Sequence, residues 1–203
     1  RQAKGTVVEA KLERGRGPVA TVLVQNGTLK VGDVFVVGTF SGRVRALLND
    51  RGVKTQQATP SIPVEVIGLP GVPSAGDVFQ VVSDERVARE IADERAQKQR
   101  TADLAGQAKV SLDDLFARIK EGSAKELAIV IKADVQGSAE AIVQALEKIG
   151  NEEIRGRVIH YAVGGINESD IGLATASGAV VLGFNVRASG QARDAAERAG
   201  IEI

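Results

Sequence analysis

The fold of the first part of this chain is decided by the stretch VGDVFVV at residues 31–37. The stretch recurs at residues 75–82 as AGDVFQVV, so a Gly-Asp pair twice precedes a run of β-branched and aromatic residues. Glycine followed by aspartate is typical of a tight turn, and the apolar run after it is typical of a half-buried strand. We therefore predict two turns that each begin a strand, with Phe35 and Phe79 facing a common core.

Short strand-like runs of the same kind occupy the whole of residues 1–83. Gly, Pro, Asn and Asp interrupt them roughly every ten residues, a spacing typical of a small antiparallel barrel. Asn26-Gly27 is the strongest hairpin signal, because both residues tolerate the positive φ of a type I′ turn. The predicted strands are 6–10, 19–25, 34–37, 44–48, 64–67 and 78–82.

Residues 84–109 predict a single charged helix, since they contain no proline and only one glycine. Ser83 is the expected N-cap, and Glu85 and Arg89 have the i,i+4 spacing of a helical ion pair. The apolar stripe of this helix is thin because alanine supplies most of it. We therefore interpret the helix as a largely solvated linker.

Helices and strands alternate from residue 110 to the end of the chain. An amphipathic helix is expected near 111–121, and near-continuous apolar runs predict the strands of a parallel sheet. Right-handed crossovers between such strands place helices on both faces of the sheet, so we predict an α/β/α domain with a four-stranded parallel sheet. The predicted strands are 127–132, 158–163, 179–184 and 201–203. The whole chain is thus expected to be a multi-domain α and β protein, with a barrel at 1–83, a linker helix at 84–109 and an α/β/α domain at 110–203.

The net charge of the chain is zero, but the charges are unevenly distributed. Residues 1–83 contain ten Lys or Arg against six Asp or Glu, whereas residues 110–203 contain ten against fourteen. The barrel therefore has the sign suited to RNA phosphates, and the last domain has the sign suited to protein neighbours. The absence of Cys excludes disulfides, thiol catalysis and zinc–thiolate sites. We expect a cytoplasmic protein without membrane contact and, because Met is absent, a piece of a longer protein.

The basic residues of the predicted barrel are the best candidates for a binding site. They lie at or beside two turns, where their side chains are expected to be exposed. Phosphate contacts from such residues give salt-dependent, largely sequence-independent affinity for structured RNA. Aromatic residues make up only 3% of the chain, which argues against recognition of single strands by base stacking. The predicted RNA-binding residues are Arg14, Arg16, Arg43, Arg45, Arg51 and Lys54.

No catalytic or metal site is predicted from the sequence. The stretch DVQG at residues 134–137 matches the Asp-x-x-Gly of GTPase switch regions, but the chain has no phosphate-binding Gly-x-x-x-x-Gly-Lys-Ser/Thr motif. His160, the single histidine, is interpreted as a partly buried structural residue, because one His cannot form a multi-His metal site. The open alternative is an enzyme or ligand-binding domain in which the βα turns at Gly137-Ser138 and Gly164-Gly165 bind a small molecule or nucleotide.

Several strings of residues resemble those of one known family. Residues 6–11 (TVVEAK), 24–29 (VQNGTL) and 42–46 (GRVRA) look like the second-domain barrel of translational GTPases. Other strings resemble bacterial translation initiation factor two specifically, and together they extend the resemblance over essentially the whole chain. These strings are PVEVIGL at 63–69, PSAGD at 73–77, LDDLF at 112–116, KADVQGSAEA at 132–141 and VGGINESD at 163–170.

The resemblance implies that the chain is the central fragment of a modular ribosomal factor. In that family a GTPase domain precedes the barrel, and a terminal domain holds initiator tRNA. GTP and Mg belong to the GTPase domain, so neither a cofactor nor an enzymatic activity is expected of this chain. The implied partners are the small ribosomal subunit, whose rRNA the barrel contacts, and the assembled initiation complex. The α/β/α domain is expected to relay the nucleotide state, and the chain is expected to be a monomer.

Overall fold

A computed structural model of the chain describes residues 1–13, 15–107, 125–149 and 154–203. The chain divides into two compact units, Arg1–Leu104 and Ala105–Ile203. The first unit consists of strands and one helix, and the second of alternating strands and helices. The predicted mixed fold, with an antiparallel sheet, a helix and a parallel sheet, is thereby confirmed. No helix in the described ranges is long and apolar enough to cross a membrane.

Ten strands build the first unit. Eight of them form one antiparallel sheet in the order β5-β4-β10-β1-β2-β9-β6-β7, and the other two pair with each other as β3-β8. The strands are β1 (Lys4–Glu13), β2 (Gly17–Asn26), β3 (Leu29–Lys30), β4 (Val34–Val37), β5 (Phe40–Arg43), β6 (Ala46–Leu48), β7 (Lys54–Thr55), β8 (Gln57–Ala58), β9 (Pro63–Ile67) and β10 (Val78–Val82).

The eight-stranded sheet closes on itself through residues 43–46. β5 and β6 lie near opposite ends of the strand order, yet β5 ends at Arg43 and β6 begins at Ala46. Three peptide units span at most about 11 Å, so the two ends of the sheet must lie side by side. Between them, Val44 N donates to Asp33 O at 2.9 Å and Arg45 N donates to Ile67 O at 2.8 Å. The expected antiparallel barrel is therefore confirmed.

The repeated Gly-Asp pair forms the same turn twice. Asp33 Oδ2 accepts from Lys30 N at 2.8 Å, and Asp77 Oδ2 accepts from Ser74 N at 3.0 Å. The preceding glycines have φ of +94° and +88°, the left-handed value that the third position of a type II turn requires. Each turn leads into a strand whose phenylalanine is buried, and the rings of Phe35 and Phe79 stack with centroids 4.7 Å apart. Both predictions made from the repeat are confirmed.

Strand β4 is buried on both faces. Phe35 and Val37 point into the barrel core, whereas Val34 and Val36 pack outside the barrel against Ala88 of the helix that follows. Other members of the barrel core come from alternate positions of the long strands, as the period of two in a strand dictates. They include Val7, Ala20, Val22, Val24, Leu47, Val64, Val66 and Val81.

Helix α1 (Glu85–Gln107) packs on the barrel over its first three turns. Ala88 is 1% exposed and Ala92 is 4% exposed, so the alanine stripe is a packed seam, whereas most side chains between residues 85 and 102 are exposed, in agreement with the prediction of a largely solvated helix. The N-cap is Asp84, whose Oδ1 accepts from Val87 N at 3.0 Å, rather than Ser83. Arg95 Nη1 donates to Gly38 O at 3.2 Å and links the end of the seam to the barrel.

The hairpin predicted at Asn26-Gly27 is wrong. Gly27 has a φ of +70°, but Asn26 is not in the left-handed region, and β3 pairs with β8 instead of β2. A Cβ at Gly27 would collide with Gln2 O, so glycine is needed here for a close approach of two backbones. The turn carries the chain from the large sheet to the two-stranded one.

The second unit is a parallel sheet flanked by helices. Its elements are β11 (Lys125–Ala133), α2 (Gln136–Lys148), β12 (Ile154–Val163), α3 (Glu168–Ser177), β13 (Val180–Phe184) and α4 (Gly190–Ala199), with strand order β12-β11-β13. β12 and β13 lie on opposite sides of β11, so right-handed crossovers place α2 and α3 on opposite faces. Val130 of β11 belongs to the same buried cluster as Ile171 of α3 and Ala192 of α4. These two helices therefore pack on the same face of the sheet.

The described part of this sheet has three strands rather than the predicted four. Residues 201–203 are extended, and Val181 N donates to Glu202 O at 3.0 Å, but no regular ladder forms. A further difference concerns one residue. His160 is exposed on β12 rather than partly buried. The helix expected near 111–121 lies outside the described residues.

Candidate nucleic-acid interface

Arg16, one of the predicted RNA-binding residues, belongs to a network of charges on the barrel. Lys11 Nζ lies 2.9 Å from Glu13 Oε1 and 3.2 Å from Glu65 Oε1. Arg16 Nη1 lies 3.2 Å from Glu13 Oε2 and 3.8 Å from Glu65 Oε2. The hydrogen bond from Lys11 holds the pKa of Glu13 below its usual 4.5, and the same bond raises the pKa of Lys11 above 10.5. Two carboxylates thus offset the charge of Arg16, although its side chain stays 52% exposed.

This network predicts a small, pH-dependent contribution to barrel stability. A carboxyl group whose pKa is lower in the folded state stabilises the fold above its unfolded pKa, and that contribution is lost as the pH falls through the folded value. We expect Glu13→Gln to lower the free energy of unfolding by about 0.5 kcal/mol at pH 7, as is typical for exposed pairs. The difference should shrink as the pH falls below 4.5. Urea unfolding followed by circular dichroism at pH 7, 5 and 3 measures it.

Glu9→Gln is the matched control for this prediction, because Glu9 is exposed on the same strand and has no ion pair within the described ranges. Its effect should be the same at all three pH values. A Glu13→Gln effect that does not change between pH 7 and pH 3 would contradict the role assigned to the ion pairs.

All three guanidinium nitrogens of Arg43 donate hydrogen bonds within the protein. Its Nε and Nη2 donate to Glu85 Oε1 at 3.1 and 2.9 Å, and its Nη1 donates to Gly32 O at 3.0 Å. The expected helical partner of Glu85 was Arg89, so the sequence interpretation of this glutamate is wrong. Arg43 therefore attaches the N-terminus of α1 to the barrel, while 55% of its side chain remains exposed. A role in RNA binding stays a prediction for this residue.

Arg45 lies two residues further along, where the barrel closes. It is exposed, and the buried Val44 separates it from Arg43. Gly68 has a φ of +123°, and a Cβ there would collide with Arg43 O, so only glycine lets this backbone approach so closely. Among the described residues no carboxylate forms an ion pair with Arg45, which leaves its guanidinium available to a ligand.

Arg51 lies on the connection between β6 and β7, and Lys54 is the first residue of β7. Both side chains are exposed, and so are Gly52 and Val53 between them. Neither cation has an ion pair with any residue in the described ranges. Because β6 directly follows Arg45, the three cations belong to one segment of ten residues, which we call the cationic hairpin (residues 45–54). Arg14, the remaining predicted residue, lies outside the described residues.

The carboxyl edge of the parallel sheet, proposed as the alternative site, is linked by its own side chains. Asn185 Nδ2 donates to Asp134 Oδ2 at 2.7 Å, and so joins the ends of β13 and β11. Gly164 N donates to Ala133 O at 2.8 Å and joins the end of β12 to β11. The first turn of α3 is closed by a capping box, because Asn167 Oδ1 accepts from Asp170 N at 3.2 Å and Asp170 Oδ2 accepts from Asn167 N at 2.9 Å. These groups are therefore occupied, whereas no side chain caps the first turn of α2 at Gly137-Ser138.

Lys132 at this edge is almost completely buried. Its Nζ lies 3.3 Å from Asp170 Oδ2, with the two side chains 6% and 8% exposed, and Asp170 Oδ2 also accepts from Asn167 N at 2.9 Å. This ion pair was not predicted from the sequence, although a lysine at the end of the apolar run 127–132 indicates a buried cation that needs a partner. No group of three or more His, Cys, Asp or Glu suited to a metal ion occurs in the described part of the chain.

The barrel and the structural neighbours define the class of protein. Residues 2–82 match the family model of Elongation factor G domain 2. The GDP-bound aIF5B of Aeropyrum pernix superposes with a TM-score of 0.53 at 27% identity, over 100% of this chain and 34% of that one. The chain is thus built from the parts of a translation factor of the GTPase class.

Residues 101–203 match the family model of Translation-initiation factor 2, so the chain belongs to that family. Its whole length aligns at 62% identity with Translation initiation factor IF-2 of Paracoccus denitrificans and at 57% identity with that of Clostridium botulinum strain Hall. The chain spans 24% and 30% of these two relatives, respectively. The family expected from the sequence is confirmed, and the alternative of a ligand-binding enzyme domain is not favoured.

Proposed function

We propose that the chain serves translation initiation as the central region of a ribosome-bound GTPase factor. Its barrel docks on the rRNA of the small ribosomal subunit through phosphate contacts, and its α/β unit relays the nucleotide state of a GTPase domain. Initiator tRNA is held by another domain of the same factor, and the factor acts in the cytoplasm as a monomer. The observation that carries the docking proposal is the cationic hairpin, whose Arg45, Arg51 and Lys54 are exposed without an acidic partner among the described residues.

Charge and position make the cationic hairpin the strongest part of this interface. A cation that already has a carboxylate partner must exchange it for a phosphate, and little net attraction remains. Arg45, Arg51 and Lys54 have no such exchange to make within the described residues, whereas Arg16 and Arg43 do. We therefore rank the first three as the main phosphate contacts and Arg16 and Arg43 as weaker ones, while Arg14, which lies outside the described residues, stays a predicted contact.

The proposed docking is electrostatic and has no catalytic step. Each phosphate neutralised by Lys or Arg releases counterions, so the logarithm of the affinity falls linearly with the logarithm of the salt concentration. We infer that GTP and Mg bind to a GTPase domain outside these residues, since the sequence has no phosphate-binding Gly-x-x-x-x-Gly-Lys-Ser/Thr motif. GTP hydrolysis and any change of shape that follows it are assigned to the whole factor.

Binding to isolated small ribosomal subunits across a salt series tests this proposal. The triple variant Arg45→Gln, Arg51→Gln and Lys54→Gln should lower the slope of log affinity against log salt by about 2 to 3, or about 0.9 for each lost phosphate contact. The matched control is Lys4→Gln, Arg86→Gln and Arg193→Gln, which removes three exposed cations elsewhere. This control variant has the same net charge as the triple variant and should keep the wild-type salt slope.

Two results would overturn the docking proposal. One is binding without any dependence on salt. The other is a wild-type slope in the cationic-hairpin variant, which would assign ribosome binding to protein contacts instead.

A further inference from the structure

The loop at the tip of the cationic hairpin is organised around one side chain. Asn49 Oδ1 accepts from Arg51 N at 3.0 Å and from Val53 N at 2.9 Å. The backbone of Asn49 adds two further bonds, because its N donates to Val53 O and its O accepts from Gly52 N, both at 2.9 Å. Four hydrogen bonds to one residue thus fix the backbone between the two strands of the hairpin.

The rest of the loop faces solvent. Val53 is 58% exposed, and Arg51, Gly52 and Lys54 are exposed as well. Gly52 has a φ of +72°, and a Cβ built there would meet no atom within 4 Å. The space beside Gly52 is therefore open, and the hydrogen bonds of Asn49 hold the backbone of this exposed tip.

We propose that Asn49 is a positioning residue for RNA: it holds the backbone that carries Arg51 and Lys54 in the conformation that meets the phosphates. This inference rests on the proposed function, because it concerns the same docking surface. Asn49 is uncharged, so it acts through the two cations and adds nothing to the electrostatic attraction.

The physical basis is the entropy of ordering a loop. If only a fraction of the molecules has the binding-competent conformation, the apparent dissociation constant rises in inverse proportion to that fraction. Alanine at position 49 keeps the two backbone bonds of the loop but leaves Arg51 N and Val53 N without their common acceptor. The loop then samples other conformations, and binding must order it again.

The experiment measures binding of the full chain to small ribosomal subunits at several salt concentrations. We expect Asn49→Ala to weaken binding about five- to tenfold while the salt slope stays at the wild-type value, since the same phosphates are contacted. Asn49→Ser keeps a weaker acceptor for the same N–H groups and should fall between alanine and wild type. Amide exchange at Arg51 and Val53 should become faster in the alanine variant.

Asn26→Ala is the control, because Asn26 is also an exposed asparagine of the barrel, at the last position of β2, and its φ is not left-handed. It should bind like wild type. Wild-type affinity of Asn49→Ala would overturn the inference, even if the triple cation variant loses its slope as proposed. The inference would also be overturned if Asn49→Ala reduced the salt slope as much as the double variant Arg51→Gln with Lys54→Gln does. Phosphate contacts would then be lost outright. If the triple variant keeps its slope, the proposed function itself fails.

Discussion

Asp170→Ala is expected to lower the free energy of unfolding of the second unit by about 3–5 kcal/mol, because it leaves the charge of Lys132 buried and unpaired. The two side chains are 6% and 8% exposed, so water cannot replace the lost carboxylate. The same variant removes the acceptor for Asn167 N and thus half of the capping box of α3. Tyr161 reports this transition selectively, since it is the only tyrosine and the chain has no tryptophan.

Two controls separate the buried charge from other effects of this substitution. In Lys132→Met with Asp170→Ala the unpaired charge is gone, and most of the lost stability should return. Glu126→Gln removes a partner of Arg157 at 3.2 Å, but these side chains are 52% and 66% exposed. That change should cost less than about 1 kcal/mol. Urea unfolding followed by Tyr161 fluorescence compares the three variants, and equal costs for Asp170→Ala and Glu126→Gln would contradict the assignment.

Phe35→Ala should destabilise the barrel by about 3–5 kcal/mol, the usual range for deleting a buried aromatic side chain. Phe35 is fully buried, and its ring stacks on Phe79 at an interplanar angle of 27°, so the substitution removes both the area and the aromatic contact. Hydrogen exchange followed by mass spectrometry measures the loss, because amides in β1, β2 and β10 exchange through opening of the barrel.

Phe40→Ala is the matched control, because Phe40 packs on the same core but is only half-buried. Its cost should be smaller than that of Phe35→Ala, because it buries less apolar area. Equal protection of the barrel amides in the two variants would show that the stacked pair is not the centre of the core.

The local features of the fold were predictable where one stretch of residues determines them. Both Gly-Asp turns and the burial of Phe35 and Phe79 followed from two short strings, because the turn and the strand are specified by adjacent residues. The four apolar residues of β4 were a further signal, since a strand apolar at every position has two covered faces. The sequence did not show that α1 is the element that covers Val34 and Val36, because that contact joins residues about fifty positions apart.

Hydrogen-bond partners were the least predictable part of the candidate site. Glu85 has Arg89 one helical turn away, yet it binds Arg43, which the closure of the barrel brings close to the start of α1. Asn49 was not predicted from the sequence, because asparagine is common in turns and the two hydrogen bonds that its Oδ1 accepts depend on the loop conformation. The charge of the barrel was predictable from composition alone, but which cations lack a partner was not.

The attachment of α1 to the barrel has a mechanical consequence. Arg43 at one end and Arg95 at the other hold the helix on either side of the alanine seam, so the barrel and the first three turns of α1 rotate as one body. From Glu85 to Leu104 the helix rises about 28 Å, at about 1.5 Å per residue. The end of the helix at Leu104 therefore moves whenever the barrel rotates. A rotation of the barrel by about 10° about an axis perpendicular to α1 moves Leu104 by about 5 Å on this geometry.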